Sequence, residues 1–119
     1  MSTKENRKLY RAKWYKDNID RVKETHRKYH YRTKFNMTVE EYETKLQQQN
    51  YVCAICHEPE TTKEHRTGNI RKLSIDHCHD SGKVRGLLCT RCNHVLGHFK
   101  DDPHLFNSAI QYLNTYKGN

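Results

Sequence analysis

The sequence predicts an α+β fold: a short antiparallel hairpin running into a helix, held by a four-cysteine zinc site, flanked by helices and mostly helical outside the hairpin. Three observations predict it. Two Cys-x-x-Cys knuckles, Cys53/Cys56 and Cys89/Cys92, offer four thiolates to one tetrahedral ion. Between them, apolar alternation at Leu73 and Ile75, a turn at Asp80-Ser81-Gly82-Lys83 and an apolar run at 84–88 read as strand, turn, strand. Finally, only 34% of the 119 residues are hydrophobic and the mean hydropathy is −1.15, so the chain buries little apolar surface and a metal staple is expected.

The elements follow in order. Residues 3–34 contain no Pro or Gly and read as one long helix, with Asn18 the place where it could break. Leu9, Trp14, Ile19 and Val22 give it a thin apolar stripe. Thr38-Val39-Glu40-Glu41 has the form of a capping box, so a second helix is expected over 39–49, with Tyr42 and Leu46 facing the core. The polar stretch 57–71, with Pro59 and Gly68, reads as a surface loop, and His57 and His65 as ordinary surface histidines. Strands are expected over 72–77 and 84–88, then a helix from near Cys92 to about Phe99. Asp101-Asp102-Pro103 opens a last helix, because Pro fits the first turn and Asp suits the N-terminal end. Its Leu105, Phe106, Ala109, Ile110 and Leu113 lie at core-packing spacing.

Charge divides the chain into a basic helical arm, 1–34, and a zinc-stabilised domain, 35–119. The arm carries twelve Lys/Arg against four acids, while the rest carries ten of each, so the whole net charge of +8 lies in the arm. Such segregation suits a polyanion, most simply nucleic acid, and Tyr10, Tyr15, Tyr29 and Tyr31 interleave the bases with rings that can pack on sugars or bases. A solvated helix or a partner-helix contact are the plainer readings of the same run. No apolar run approaches a membrane span and the charged N-terminus lacks a signal-peptide core, which points to the cytoplasm. There, cysteine pairs more often bind metal than form disulfides.

Four thiolates close a zinc coordination sphere, so Cys53, Cys56, Cys89 and Cys92 predict a structural site and leave Cys78 spare. A second site is expected where the first strand ends and the following helix begins. Asp76 and Asn93 offer hard oxygen ligands suited to Mg²⁺ or Mn²⁺. His77 is the candidate general base, since a neutral imidazole can take a proton from water. His79, two residues on, could add a ligand, a phosphate contact or a proton donor, and Arg85 is one of several phosphate-binding candidates. Asp76, His77, Cys78 and His79 could instead form an accessory zinc site, a reading that does not need Asn93.

The segment DHCHDSGKVRGLLCTRCNHVLG, preceded by VCAICHEP, resembles phage recombination endonuclease VII and its HNH (His-metal-finger) relatives over 51–99, with weaker likeness in the basic helix and the TVEEY segment. The resemblance implies a ββα-metal core nested in the four-cysteine zinc site, and metal-dependent hydrolysis of phosphodiester bonds in double-stranded DNA. It implies Asp76 and Asn93 as ligands of the catalytic divalent ion, His77 as general base and His79 as an auxiliary histidine. It also implies a phage protein working in the host cytoplasm. Junction-resolving members carry a further C-terminal domain, whereas this chain ends at Asn119. Nicking or weakly specific cleavage is therefore expected, with branched DNA and a homodimer left open. The contrasting expectation is a catalytically silent zinc module that binds DNA through its basic arm.

Overall fold

The computed structural model describes residues 3–117; the first two residues of the predicted arm and the last two of the predicted zinc-stabilised domain lie outside them. The fold is α+β and mostly helical: α1 Lys4–Phe35, α2 Val39–Gln48, β1 Ser74–His77, β2 Val84–Leu88, α3 Thr90–His98 and α4 Pro103–Tyr116. The chain divides into two compact units, Met1–Thr44 and Lys45–Asn119.

In the first unit α1 runs unbroken through Asn18, whose side-chain amide donates to the Trp14 carbonyl at 2.7 Å and so stays within the helix. Thr3 caps the start, its hydroxyl accepting from the Asn6 N–H. Asn36 ends the helix in the left-handed region, φ 49°, where an Asn is tolerated and the Met37 N–H can reach back to the Tyr31 carbonyl. Thr38 then caps α2 by accepting from the Glu41 N–H at 3.1 Å, as its sequence predicts. The buried residues here are few: Tyr31, Met37 and Tyr42, the last only 1% exposed. Arg27 fastens them. Its guanidinium lies 5.1 Å from the Tyr31 ring centre and 5.0 Å from that of Tyr42, and it donates to Glu43 at 3.1 Å.

In the second unit β1 and β2 pair antiparallel, with Ser74 opposite Leu88, Ile75 opposite Leu87 and Asp76 opposite Gly86. The register then shifts, so that His77 faces Val84 and Arg85 is the extra residue of a bulge. β1 starts at Ser74, later than the expected 72, because its partner strand ends at Leu88: the next residue, Cys89, turns away to cap α3. Accordingly α3 begins at Thr90, ahead of the predicted Cys92. The Gln49 side chain acts as a short extra strand, its carbonyl accepting from the Leu87 N–H at 2.9 Å and its amide donating to the Leu87 carbonyl at 3.0 Å. Leu73, Ile75, Leu87, Leu88 and three of the cysteines form the buried centre.

The stretch 57–71, expected as a plain loop, contains a small folded turn. Lys63 bridges Ile70, the Arg71 N–H donates to the Thr62 carbonyl, and Gly68 takes the φ of 71° that closes it. The face of α4 departs further from expectation. Leu105, Ile110 and Leu113 are 43%, 54% and 64% exposed, and only Phe106 and Ala109 are half-buried. Phe106 packs edge-on against Phe99, ring centres 4.8 Å apart. A two-stranded hairpin has too little apolar surface to cover a helix of four turns, so core packing is confined to its beginning.

Candidate active site and metal centre

Both knuckles are built by local backbone geometry. Cys53 is fully buried, its N–H bonded to the Glu58 carbonyl, while its sulfur accepts from the Ile55 N–H at 3.4 Å. Cys89 caps α3, its sulfur accepting from the Cys92 N–H at 3.4 Å. The four sulfurs all lie within 4.8 Å of one another, and those of Cys56 and Cys89 are 3.8 Å apart. A tetrahedron with metal–sulfur bonds of about 2.3 Å has edges of about 3.8 Å. All four thiols are free of disulfides.

Their acidity supports the same fit. Burial pushes the Cys92 thiol up to about 12 and also raises Cys89. Burial opposes ionisation of Cys53 as well, but N–H groups of Cys56, Cys89 and Ile55 outweigh it and bring that thiol to about 7. Four such groups in one small space ionise together only around a cation, and an all-sulfur set suits zinc. The cluster is thus compatible with a structural metal ion. Glu60 braces it from outside: the Thr61 and Thr62 N–H groups donate to one carboxylate oxygen, and the N–H and hydroxyl of Thr90 to the other.

The remaining candidate residues lie on the hairpin and the adjoining helix. Asp76 stands opposite Gly86 within β1, His77 is half-buried at its end, and His79 is exposed just beyond. Their imidazole rings meet edge-on, 5.0 Å between centres. Asn93 is half-buried in the first turn of α3, which packs on both strands. Among the described residues the cysteine quartet is the group of His, Cys, Asp or Glu side chains close enough to share an ion; Asp76, His77 and His79 do not form a second such group.

Instead Asp76 is gripped by Arg85. The guanidinium donates from Nε to Oδ2 at 2.7 Å and from Nη2 to Oδ1 at 2.9 Å. The same Nη2 donates to Asp101 Oδ2 at 3.2 Å, and His79 Nε2 lies 3.8 Å from that oxygen. The hydrogen bond to Asp76, with two carboxylates close by, raises the Arg85 pKa further, so it is a permanent cation. Arg85 was legible in sequence only as one phosphate contact among several, Asp101 only as a helix-start residue and Glu60 only as part of a loop. No spacing rule links them to Asp76 or Thr90. Asp101 reaches the cluster because α3 ends in a tight turn, with Lys100 and Asp101 at φ 52° and 56° and the Asp101 N–H bonded back to the Leu96 carbonyl at 2.9 Å.

Comparison with known proteins supplies the remaining frame. The chain is 39% identical over 80 residues to the Gene 59 protein of Mycobacterium phage D29, and equally to that of Mycobacterium phage L5. The match takes in 66% of this chain but spans only 44% of the length of each relative. No solved structure gives a significant match. Among the described residues no helix is long and apolar enough to cross a membrane. The family model for recombination endonuclease VII matches residues 24–115, which takes in both knuckles, the hairpin, the Asp76–Arg85 cluster and all of α4 but its last residue, and so the chain belongs to the recombination endonuclease VII family.

Proposed function

We propose that this chain is a divalent-metal-dependent DNA endonuclease of the HNH type that hydrolyses phosphodiester bonds, nicking or cutting with weak sequence specificity. The observation that carries the reading is the packing of α3 on the hairpin: Asp76 and His77 in one strand and Asn93 in the helix's first turn belong to one small unit. Family membership supports the same chemistry.

In this reading Cys53, Cys56, Cys89 and Cys92 hold a structural zinc ion. Asp76 and Asn93 hold Mg²⁺ or Mn²⁺, their oxygens being hard donors. That ion, when bound, supplies charge stabilisation at the phosphate and the departing oxygen. His77 takes the proton from the attacking water, and His79, in ring contact with it, serves as auxiliary acid or phosphate contact. The bases of α1 hold the DNA backbone. Branched DNA, a homodimer and action in the host cytoplasm of a phage extend the reading. Comparing a four-way junction with a linear duplex, and sedimentation of the free protein, test the first two.

A second reading, a silent zinc module that binds DNA through its basic arm, is favoured by one observation: both oxygens of Asp76 are engaged by Arg85. Supercoiled plasmid incubated with Mg²⁺ or Mn²⁺ separates the two. The wild type is expected to nick it, and His77→Ala to lose on the order of 10²-fold or more in rate with zinc content, fold and DNA binding kept. Nicking unchanged in the variant removes His77 as base. Tight binding without cleavage under either metal selects the silent module.

A further inference from the structure

Arg85 owes its position to the bulge. In an unbroken register it would stand opposite His77, with its side chain on the other face of the ribbon from Asp76. As the extra residue between Val84 and Gly86 it reaches Asp76 instead, engaging both carboxylate oxygens at 2.7 and 2.9 Å. A bidentate guanidinium takes one of the two lone-pair directions on each carboxylate oxygen, so a hard cation at about 2.0–2.1 Å would share an oxygen that is already hydrogen-bonded. Two cations on one carboxylate also repel each other. An ion arriving at Asp76 therefore weakens its pairing with Arg85.

The guanidinium has somewhere to go. Its Nη2 is already 3.2 Å from Asp101, so rotation about that contact releases Asp76 while a carboxylate partner is kept. Arg85 and Asp101 also border an open depression of about 290 Å³, with Leu96, Pro103, Phe106 and Asn107 around it, so the movement needs no repacking. We propose that Arg85 is a positioning residue that holds Asp76 in place until a divalent cation replaces it, with Asp101 retaining the displaced guanidinium. Metal binding and the Asp76–Arg85 pair are then linked equilibria, each weakening the other by the same factor. The inference rests on the reading of Asp76 as a metal ligand.

The test is Mn²⁺ binding to the full-length, zinc-loaded protein, followed by the electron paramagnetic resonance signal of free Mn²⁺. Arg85→Gln is expected to tighten binding about tenfold, within the usual range for linked sites. Asp101→Asn is expected to weaken it, because Arg85 then has Asp76 as its remaining carboxylate. Asp76→Asn should abolish it. A merely structural Arg85 predicts the opposite sign, weaker binding on its removal. Unchanged or weaker binding in Arg85→Gln, with Asp76→Asn still abolishing it, overturns the exchange and leaves the nuclease reading standing. Unchanged binding in Asp76→Asn removes both. Should Arg85→Gln lose zinc or fold, Arg85→Lys takes its place: it keeps the charge but not the bidentate grip, and also predicts tighter binding.

Discussion

A single buried carboxylate, Glu60, joins segments thirty residues apart. It accepts hydrogen bonds from the Thr61 and Thr62 N–H groups just after the first knuckle, and from the Thr90 N–H and hydroxyl, at 2.7 and 2.9 Å, within the second. Burial works to raise its pKa, but the bonds from Thr62 and Thr90 prevail and hold it below the ordinary carboxylate value. A carboxylate depressed in the folded state stabilises above its unfolded pKa of about 4.3, and the contribution is lost as pH falls through the folded value. Glu60→Gln places an amide where only an acceptor fits, so a loss of about 1–3 kcal/mol is expected at neutral pH. Denaturant titration of both proteins checks it: the gap between them should be full at pH 7 and shrink below about pH 4. A gap independent of pH would mean that Glu60 acts through shape alone.

At the scale of elements, α1 has two distinct stretches along its length. Residues 3–17 are exposed throughout, and Lys4, Arg7, Lys8 and Arg11 fall on one face at spacings of three and four. Replacing these four by Gln removes charge without touching Arg27, Tyr31 or Tyr42. DNA affinity should fall and its dependence on salt flatten, by about 0.9 in logarithmic slope for each phosphate no longer neutralised. Fluorescence anisotropy over a salt series measures it, and an unchanged slope would leave this stretch as a solvated helix. The later part is structural. Arg27 lies against both tyrosine rings, which also contact each other, and is bonded to Glu43 and the Tyr31 hydroxyl. Deleting all of 1–34 would therefore disturb the packing around α2 as well as remove charge, which makes the four-residue substitution the cleaner test.

At the scale of the whole molecule, an ion held by the cysteine quartet would do what apolar surface cannot. Among the described residues, the buried apolar centre of the second unit is four aliphatic side chains and three cysteines. With so little core, binding free energy at the quartet becomes folding free energy. Cys53→Ser or a strong zinc chelator should unfold Lys45–Asn119, seen as rapid hydrogen exchange at the Leu87 and Leu88 amides. Persisting protection would show that the hairpin stands without the ion. Acid should act in the same direction, because four thiolates must be kept ionised and Cys92, held near 12 by burial, ionises only with the cation's help.

Much of this was legible in residues read locally. Thr38 as a cap, Pro103 at a helix start and the hairpin turn at Gly82 depend on neighbours within four positions, where backbone sterics and hydrogen bonding act without the rest of the fold. The doubled Cys-x-x-Cys was legible because metal geometry demands it, and the family motif because its residues are contiguous. The predicted start of α3 was wrong by two residues because a cysteine, not a usual capping residue, takes the cap. The α4 face was misjudged for a larger reason: periodicity reports which residues share a face, while burial depends on what surface stands opposite. The bulge that aims Arg85, the turn that brings Asp101 to it and the carboxylate that ties Glu60 to Thr90 all depend on segments meeting in space. Sequence by itself determined the elements, the cysteine quartet and the family; only the tertiary structure decided which charges neutralise Asp76, because that depends on distances between segments separated along the chain.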